Sequence, residues 1–150
     1  MIPEDFVIRY KWTEGSVPPP HHYEYEIHIG PREVGRIIFF PDYPMENPPI
    51  WIEEFHLDNV VLDRLYEVMV ERGIFVRDWT EIENTAVGGE LEWIEGTANK
   101  MDFRVPSTIE ESEMVQSIYE LLKSLVPRGI WTKLMSKRQQ YENDYLENRE

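Results

Sequence analysis

Hydrophobic and polar residues alternate along the first part of the chain, which is the pattern of strands that bury one face. The period of two predicts four strands, within residues 6–12, 22–29, 34–40 and 50–57. Short connections rich in Gly and Pro separate these strands. Connections of that kind favour an antiparallel meander over a parallel sheet.

The hydrophobic period changes to three and four residues after Asp58, and this change predicts a helix. The Asp58 carboxylate can accept hydrogen bonds from the N–H groups of the first turn, and Gly73 suits the C-terminal cap. Residues 74–79 are apolar and few, and we predict an extended return there. Alternation resumes in residues 91–105 around a turn at 96–100, which predicts a β-hairpin.

Two further helices are predicted in the last third of the chain. Ser107 and Thr108 are each followed three residues later by a Glu, so two overlapping capping boxes can begin the first of them. This helix is expected to end at Pro127. The helical pattern resumes at Ile130, but residues 137–150 are mostly polar, and we expect them to form a projecting or frayed tail.

These elements predict an α+β fold: an antiparallel sheet, made of a meander of about four strands and a later hairpin, packed with about three helices. Two of the helices are C-terminal. The length of 150 residues suits a single domain over 1–150. The aromatic face of the sheet is expected to pack on the apolar positions of the helices, such as Leu65, Met69, Ile118 and Leu122.

Composition narrows the chemistry that the chain can perform. Its hydrophobic content of 41%, with 5 Trp, 8 Tyr and 6 Phe, is that of a folded protein and not of a disordered acidic chain. The absence of Cys excludes disulfides, thiolate metal ligands and a Cys nucleophile. No serine lies in a Gly-x-Ser-x-Gly elbow. No catalytic residue is assigned, and no cofactor is expected.

The formal net charge of −14 bears on partners and location. It repels phosphate backbones, which argues against nucleic-acid binding. No apolar run is long enough to cross a membrane, and the acidic N-terminus does not resemble a secretion signal, so we expect a cytoplasmic protein. Residues 37–63 and 78–99 each carry several Asp and Glu residues and no Lys or Arg. If these stretches share a face, they would attract a basic protein or peptide.

Four side chains are weak candidates for a metal site. His28 and His56 lie on separate predicted strands, and Glu26 and Glu54 precede them by two residues, so each pair shares a strand face. Neighbouring strands would bring two imidazoles and two carboxylates together. The spacing matches no established ligand motif, and the alternative is a set of exposed polar positions.

The region 27–50 resembles the strand, strand and proline-rich connector of ubiquitin-conjugating enzymes and their inactive relatives. The resemblance lies in Ile27-His28-Ile29-Gly30-Pro31, in the stretch from Gly35 to Pro44 that contains Phe-Pro and Tyr-Pro, and in Pro48-Pro49-Ile50. The chain departs from that family because it has no Cys to carry a thioester and no His-Pro-Asn. The resemblance therefore implies an adaptor without conjugating activity.

Three functional hypotheses stay open at this stage. The first is a non-enzymatic protein-interaction or regulatory module. The second is a metal-dependent or acid–base hydrolase that uses His28, His56 and nearby carboxylates, and the third is the conjugating-enzyme-like adaptor. The C-terminal helix either frays or joins two copies into a homodimer, with Tyr141 and Tyr145 as aromatic anchors.

Overall fold

A six-stranded antiparallel sheet is the centre of the computed structural model, which describes residues 2–82, 89–109 and 112–148. Three helices pack against it. In chain order, the elements are β1 (Val7–Thr13), β2 (Glu24–Ile29), β3 (Val34–Phe40), a 3-10 turn (Pro44–Glu46), β4 (Trp51–His56), α1 (Asn59–Glu71), β5 (Leu91–Ala98), β6 (Met101–Val105), α2 (Ser112–Leu125) and α3 (Arg128–Glu147).

The strands are ordered β4-β3-β2-β1-β5-β6, and every neighbouring pair is antiparallel. The predicted meander is therefore present, and the predicted hairpin joins the same sheet beside β1. β1 is an inner strand that pairs with β2 on one side and β5 on the other. β4 and β6 form the two edges of the sheet.

All three helices contribute to one hydrophobic core on one face of the sheet. The alternating side chains of β1 and β2 explain why, since Ile8, Tyr10 and Ile27 are buried while their sequence neighbours lie on the opposite face. The helix positions predicted to meet this face, Leu65, Met69, Ile118 and Leu122, are fully buried. The α+β fold class is thus confirmed.

The ends of α1 follow from local chemistry. Asp58 Oδ1 accepts a hydrogen bond of 2.7 Å from the N–H of Val60. Gly73 follows the end of the helix with φ of +70°, a left-handed conformation that favours glycine. The capping boxes predicted for α2 involve Glu110 and Glu111, which lie outside the described residues.

Two local predictions are wrong. Residues 74–76 form a turn, and none of residues 74–79 belongs to a strand. The ring of Phe75 packs edge-on against that of Phe103, with ring centroids 5.0 Å apart. The hairpin turn is also shorter than the predicted 96–100. It consists of Asn99 and Lys100, both left-handed (φ of 53° and 64°), so β5 continues to Ala98.

Helix α3 reaches from the core to the proline-rich loops at one end of the sheet. The guanidinium of Arg138 lies 4.2 Å from the centroid of the Tyr23 ring and donates to the carbonyl oxygen of His21. The hydroxyl of Tyr141 donates to Asp42 at 2.8 Å. Of the tail expected to project or fray, residues 137–147 are helical, and Arg138 and Tyr141 make these contacts; residues 149–150 lie outside the described residues.

None of the described helices combines the length and the apolar character that a membrane crossing requires.

Candidate functional site

The face of the sheet opposite the helices carries a network of charged side chains across β1 and β2. Arg9 Nε lies 2.7 Å from Glu26 Oε1, and His28 Nε2 lies 3.0 Å from the same oxygen. Lys11 Nζ lies 3.0 Å from Glu24 and 3.6 Å from Glu26. Opposite charges directly across two strands stabilise their pairing. We call this surface the open face.

Glu26 is the centre of the network. Burial raises the pKa of its carboxyl, but hydrogen bonds from Arg9 and His28 outweigh that effect, and the pKa is lowered from 4.5 to about 2. Only 12% of its side chain is exposed, although it lies on the open face. The carboxylate is therefore occupied by its own neighbours and is poorly placed to act as a general base.

The structure does not assemble the predicted metal ligands. His28 and Glu26 are in contact on β2, but His56 and Glu54 lie on β4, with β3 between. In the cross-strand row, Arg36 separates His28 from Glu54. Within residues 2–82, 89–109 and 112–148, no group of three or more His, Asp or Glu side chains is arranged to hold a metal ion.

Glu53 and Glu54, carboxylates near His56 that an acid–base hydrolase could use, do not face the same side of the sheet. They point to opposite faces of β4, since successive side chains of a strand alternate. Glu53 Oε1 accepts from Lys133 Nζ of α3 at 2.9 Å. Glu54 is exposed on the open face. Hydrolysis by two carboxylates needs both groups in one cleft, on either side of the bond that is cleaved, and β4 places these two on opposite faces of the sheet.

The two acidic stretches do not share a surface of the sheet. One includes β4 and the other includes β5, and three strands separate them. With strands about 4.8 Å apart, the distance between β4 and β5 is roughly 19 Å. The strands of the two stretches are therefore too far apart to form one negative surface.

A different acidic surface is present on the helices. Asp63, Glu67 and Glu71 are exposed and follow one another at four-residue spacing along α1. Glu113 and Glu120, seven residues apart, are exposed on α2, which packs against α1. None of the five makes an ion pair with a described residue. We call these five residues the acidic helical surface.

Two buried polar side chains were not foreseen from the sequence. Asp42 is fully buried and accepts from the Tyr43 N–H and the Tyr141 hydroxyl, both at 2.8 Å. His22, at the start of the predicted strand 22–29, is 2% exposed because its ring stacks on that of Tyr43, with centroids 3.7 Å apart, and its Nε2 lies 2.8 Å from Glu24. The only hint in the sequence was the aromatic residue Tyr43, which follows Asp42 in the proline-rich connector and contacts both buried side chains.

A groove of about 790 Å³ runs beside the edge strand β6. Consecutive residues 73–79, after α1, form one wall, and Met101–Arg104 of β6 form the other. Val70, Val76 and Met101 are exposed at its rim, with exposed fractions of 52%, 87% and 66%. Exposed apolar side chains around a groove are typical of a protein-interaction surface.

No protein-family model matches the chain, and no curated protein is significantly similar to it. The likeness of residues 27–50 to ubiquitin-conjugating enzymes therefore stays a prediction.

Proposed function

We propose that this chain is a non-enzymatic protein-interaction module that binds a basic protein or peptide through the acidic helical surface. The observation that carries the proposal is the row Asp63, Glu67 and Glu71 on the exposed side of α1. Like charges four residues apart destabilise a helix by a few tenths of a kcal/mol per pair. A basic partner would relieve that repulsion.

The distribution of the basic side chains supports the same function. Arg9 and Lys11 are engaged with carboxylates of the open face, Lys123 with Glu92, and Lys133 with Glu53. These four cations are thus paired within the fold, whereas the five carboxylates of the acidic helical surface have no ion-pair partner among the described residues. A field of one sign accelerates the association of an oppositely charged partner.

Binding of a synthetic peptide tests the proposal. The probe is a fluorescent decapeptide of alternating Lys and Ala, titrated with the full chain in fluorescence anisotropy at several salt concentrations. The triple variant Asp63→Asn, Glu67→Gln, Glu71→Gln should weaken binding by about tenfold, since each of three exposed charges near a cationic ligand contributes up to about 1 kcal/mol.

A matched control separates this surface from net charge. The triple variant Glu46→Gln, Glu90→Gln, Glu147→Gln changes the net charge by the same amount, at residues outside the acidic helical surface. It should change affinity less than about twofold at moderate salt, because screening limits the field of distant charges. Equal losses in the two variants would show that the peptide senses only total charge, and the proposal would then be abandoned.

A further inference from the structure

The outer edge of β6 carries backbone groups that no described segment satisfies. The two-residue turn at Asn99 and Lys100 makes Ala98 and Met101 a hydrogen-bonded pair of the hairpin, and the pairs alternate from there. Phe103 and Val105 therefore bond inward to β5. The N–H and C=O groups of Asp102 and Arg104 point outward, and no backbone hydrogen bond links them to another segment within the described ranges.

The edge of β6 is complementary to itself. In an antiparallel pair of two β6 strands centred on Phe103, Asp102 of one copy lies opposite Arg104 of the other, and the reverse pair completes the two-fold. Both residues have outward backbone groups, so this register also forms hydrogen bonds. Both side chains are exposed on the open face. Two opposite-charge pairs therefore form directly across the junction.

We infer that the chain forms a homodimer in which the β6 strands of two copies pair antiparallel and join the two sheets into one. The occupant of this edge is thus a second copy. In the same register, Met101 of one copy comes to the helix side of the other, beside the groove that Phe75 and Val76 line. The dimer would cover Met101, which is 66% exposed in the single chain.

Local charge explains how two acidic chains could meet at this edge. The formal charge of −14 opposes association of two copies. Around the β6 edge, however, Arg77 and Arg104 line the groove together with Asp78 and Asp102, and the N–H of Lys100 donates to Asp5 in the adjoining turn, so the charges are balanced. Repulsion between the distant parts of the two copies is screened at physiological salt, whereas the pairs at the junction are in direct contact.

Charge reversal tests the register directly. Asp102→Arg places Arg opposite Arg104 of the partner, and Arg104→Asp places Asp opposite Asp102 of the partner. Each variant should weaken the dimer by at least about tenfold in analytical ultracentrifugation of the full chain at physiological salt. An equimolar mixture of the two variants should recover the dimer, because both junction pairs then become attractive.

The double variant Asp102→Arg, Arg104→Asp keeps the composition and should also dimerise, which separates loss of pairing from loss of folding. Glu54→Arg, an exposed reversal on the other edge strand, should leave the dimer unchanged. Three results would overturn the inference: a wild-type chain that stays monomeric at high concentration and high salt, a mixture that does not recover the dimer, or a dimer lost on truncation after Ser136 but not on reversal at β6. The last result would assign the dimer to α3.

Discussion

The edge strands β4 and β6 each pack a phenylalanine ring over a glycine of the neighbouring strand. Phe55 of β4 lies opposite Gly35 of β3, and Phe103 of β6 lies opposite Gly96 of β5. A Cβ added to Gly35 would come within 2.3 Å of the Phe55 ring, and one added to Gly96 within 2.8 Å of the Phe103 ring. Both edge strands are thus attached to the sheet through the same pair of residue types.

The two edges differ in what protects them from other chains. β4 follows Pro48 and Pro49, and it carries Glu53 on the side that faces the helices, where Lys133 of α3 binds it. Prolines and inward charges are devices that discourage strand addition. The outer residues of β6 are Asp102 and Arg104, whose charges are opposite. Attachment of an edge strand and protection of its outer side are therefore separate problems, solved by different residues.

The largest expected effect distinguishes the two glycines. Gly96→Ala should lower the free energy of unfolding by more than about 3 kcal/mol, because the new methyl group would lie 2.0 Å from the backbone carbonyl oxygen of Val7, which cannot move without disturbing β1. Urea unfolding measures the effect. Gly129→Ala is the control; its Cβ meets nothing within 4 Å, and the protein should be as stable as before or more so.

Acid should affect the middle of the sheet and leave the contrast between its edges in place. The pKa of Glu26 is about 2 in the folded state and 4.5 in the unfolded chain. The stabilisation that the ionised carboxylate gives to the fold is therefore complete above pH 4.5 and is lost as the pH falls towards 2. That contribution is about 3 kcal/mol. Urea unfolding between pH 7 and pH 2.5 should show this loss in the wild type and its absence in Glu26→Gln. Parallel curves for the two proteins would contradict the assignment.

Gly35→Ala should cost less than Gly96→Ala, about 1–2 kcal/mol, because its new methyl group meets a side-chain ring and not backbone. The ring of Phe55 can shift at the sheet edge. In urea unfolding, Gly35→Ala should therefore cost less when it is added to Phe55→Leu than when it is added to the wild type, because the smaller side chain leaves room for the new methyl group. Gly96→Ala should cost the same in the Phe103→Leu background as in the wild type, since the new methyl group would still clash with the Val7 carbonyl oxygen.

The smallest effect is expected where α3 meets β4. Lys133→Ala should lower the free energy of unfolding by less than about 1 kcal/mol, because 54% of the Lys133 side chain is exposed and exposed ion pairs contribute little. Glu53 would still face the helices and protect the edge. The oligomeric state in ultracentrifugation should therefore not change. If Lys133→Ala formed oligomers that the wild type does not form, the ion pair itself would be what prevents strand addition at β4.

The sequence predicted elements where one periodicity dominated. The alternation of Ile8, Tyr10 and Trp12 and the helical spacing of Leu62, Leu65 and Met69 placed β1 and α1 correctly. The prediction for residues 74–79 was wrong because a short apolar run has no periodicity that separates strand from turn. Phe75 is part of that run, and it packs against Phe103 of another segment. A pattern along the chain cannot show a contact that another segment provides.

The candidate sites depended on strand order, which local patterns do not determine. The spacing of Glu26 and His28, and of Glu54 and His56, put each pair on one face of its strand, and in the structure both pairs lie on the open face. It could not show that β3 and Arg36 would lie between. The sequence likewise could not show that Asp102 and Arg104 lie on an edge strand, because that depends on the order of the strands.

The position of β1 has a consequence for how the sheet is completed during synthesis. β1 can pair with β2 as soon as the meander emerges, but its other side must wait for β5, since Val7 pairs with Thr97. Until then β1 is itself an edge. We expect contacts of such long sequence separation to form late and to slow folding. The hydrogen bond from the Asn99 N–H to the Asp5 carboxylate joins the same two distant parts of the chain.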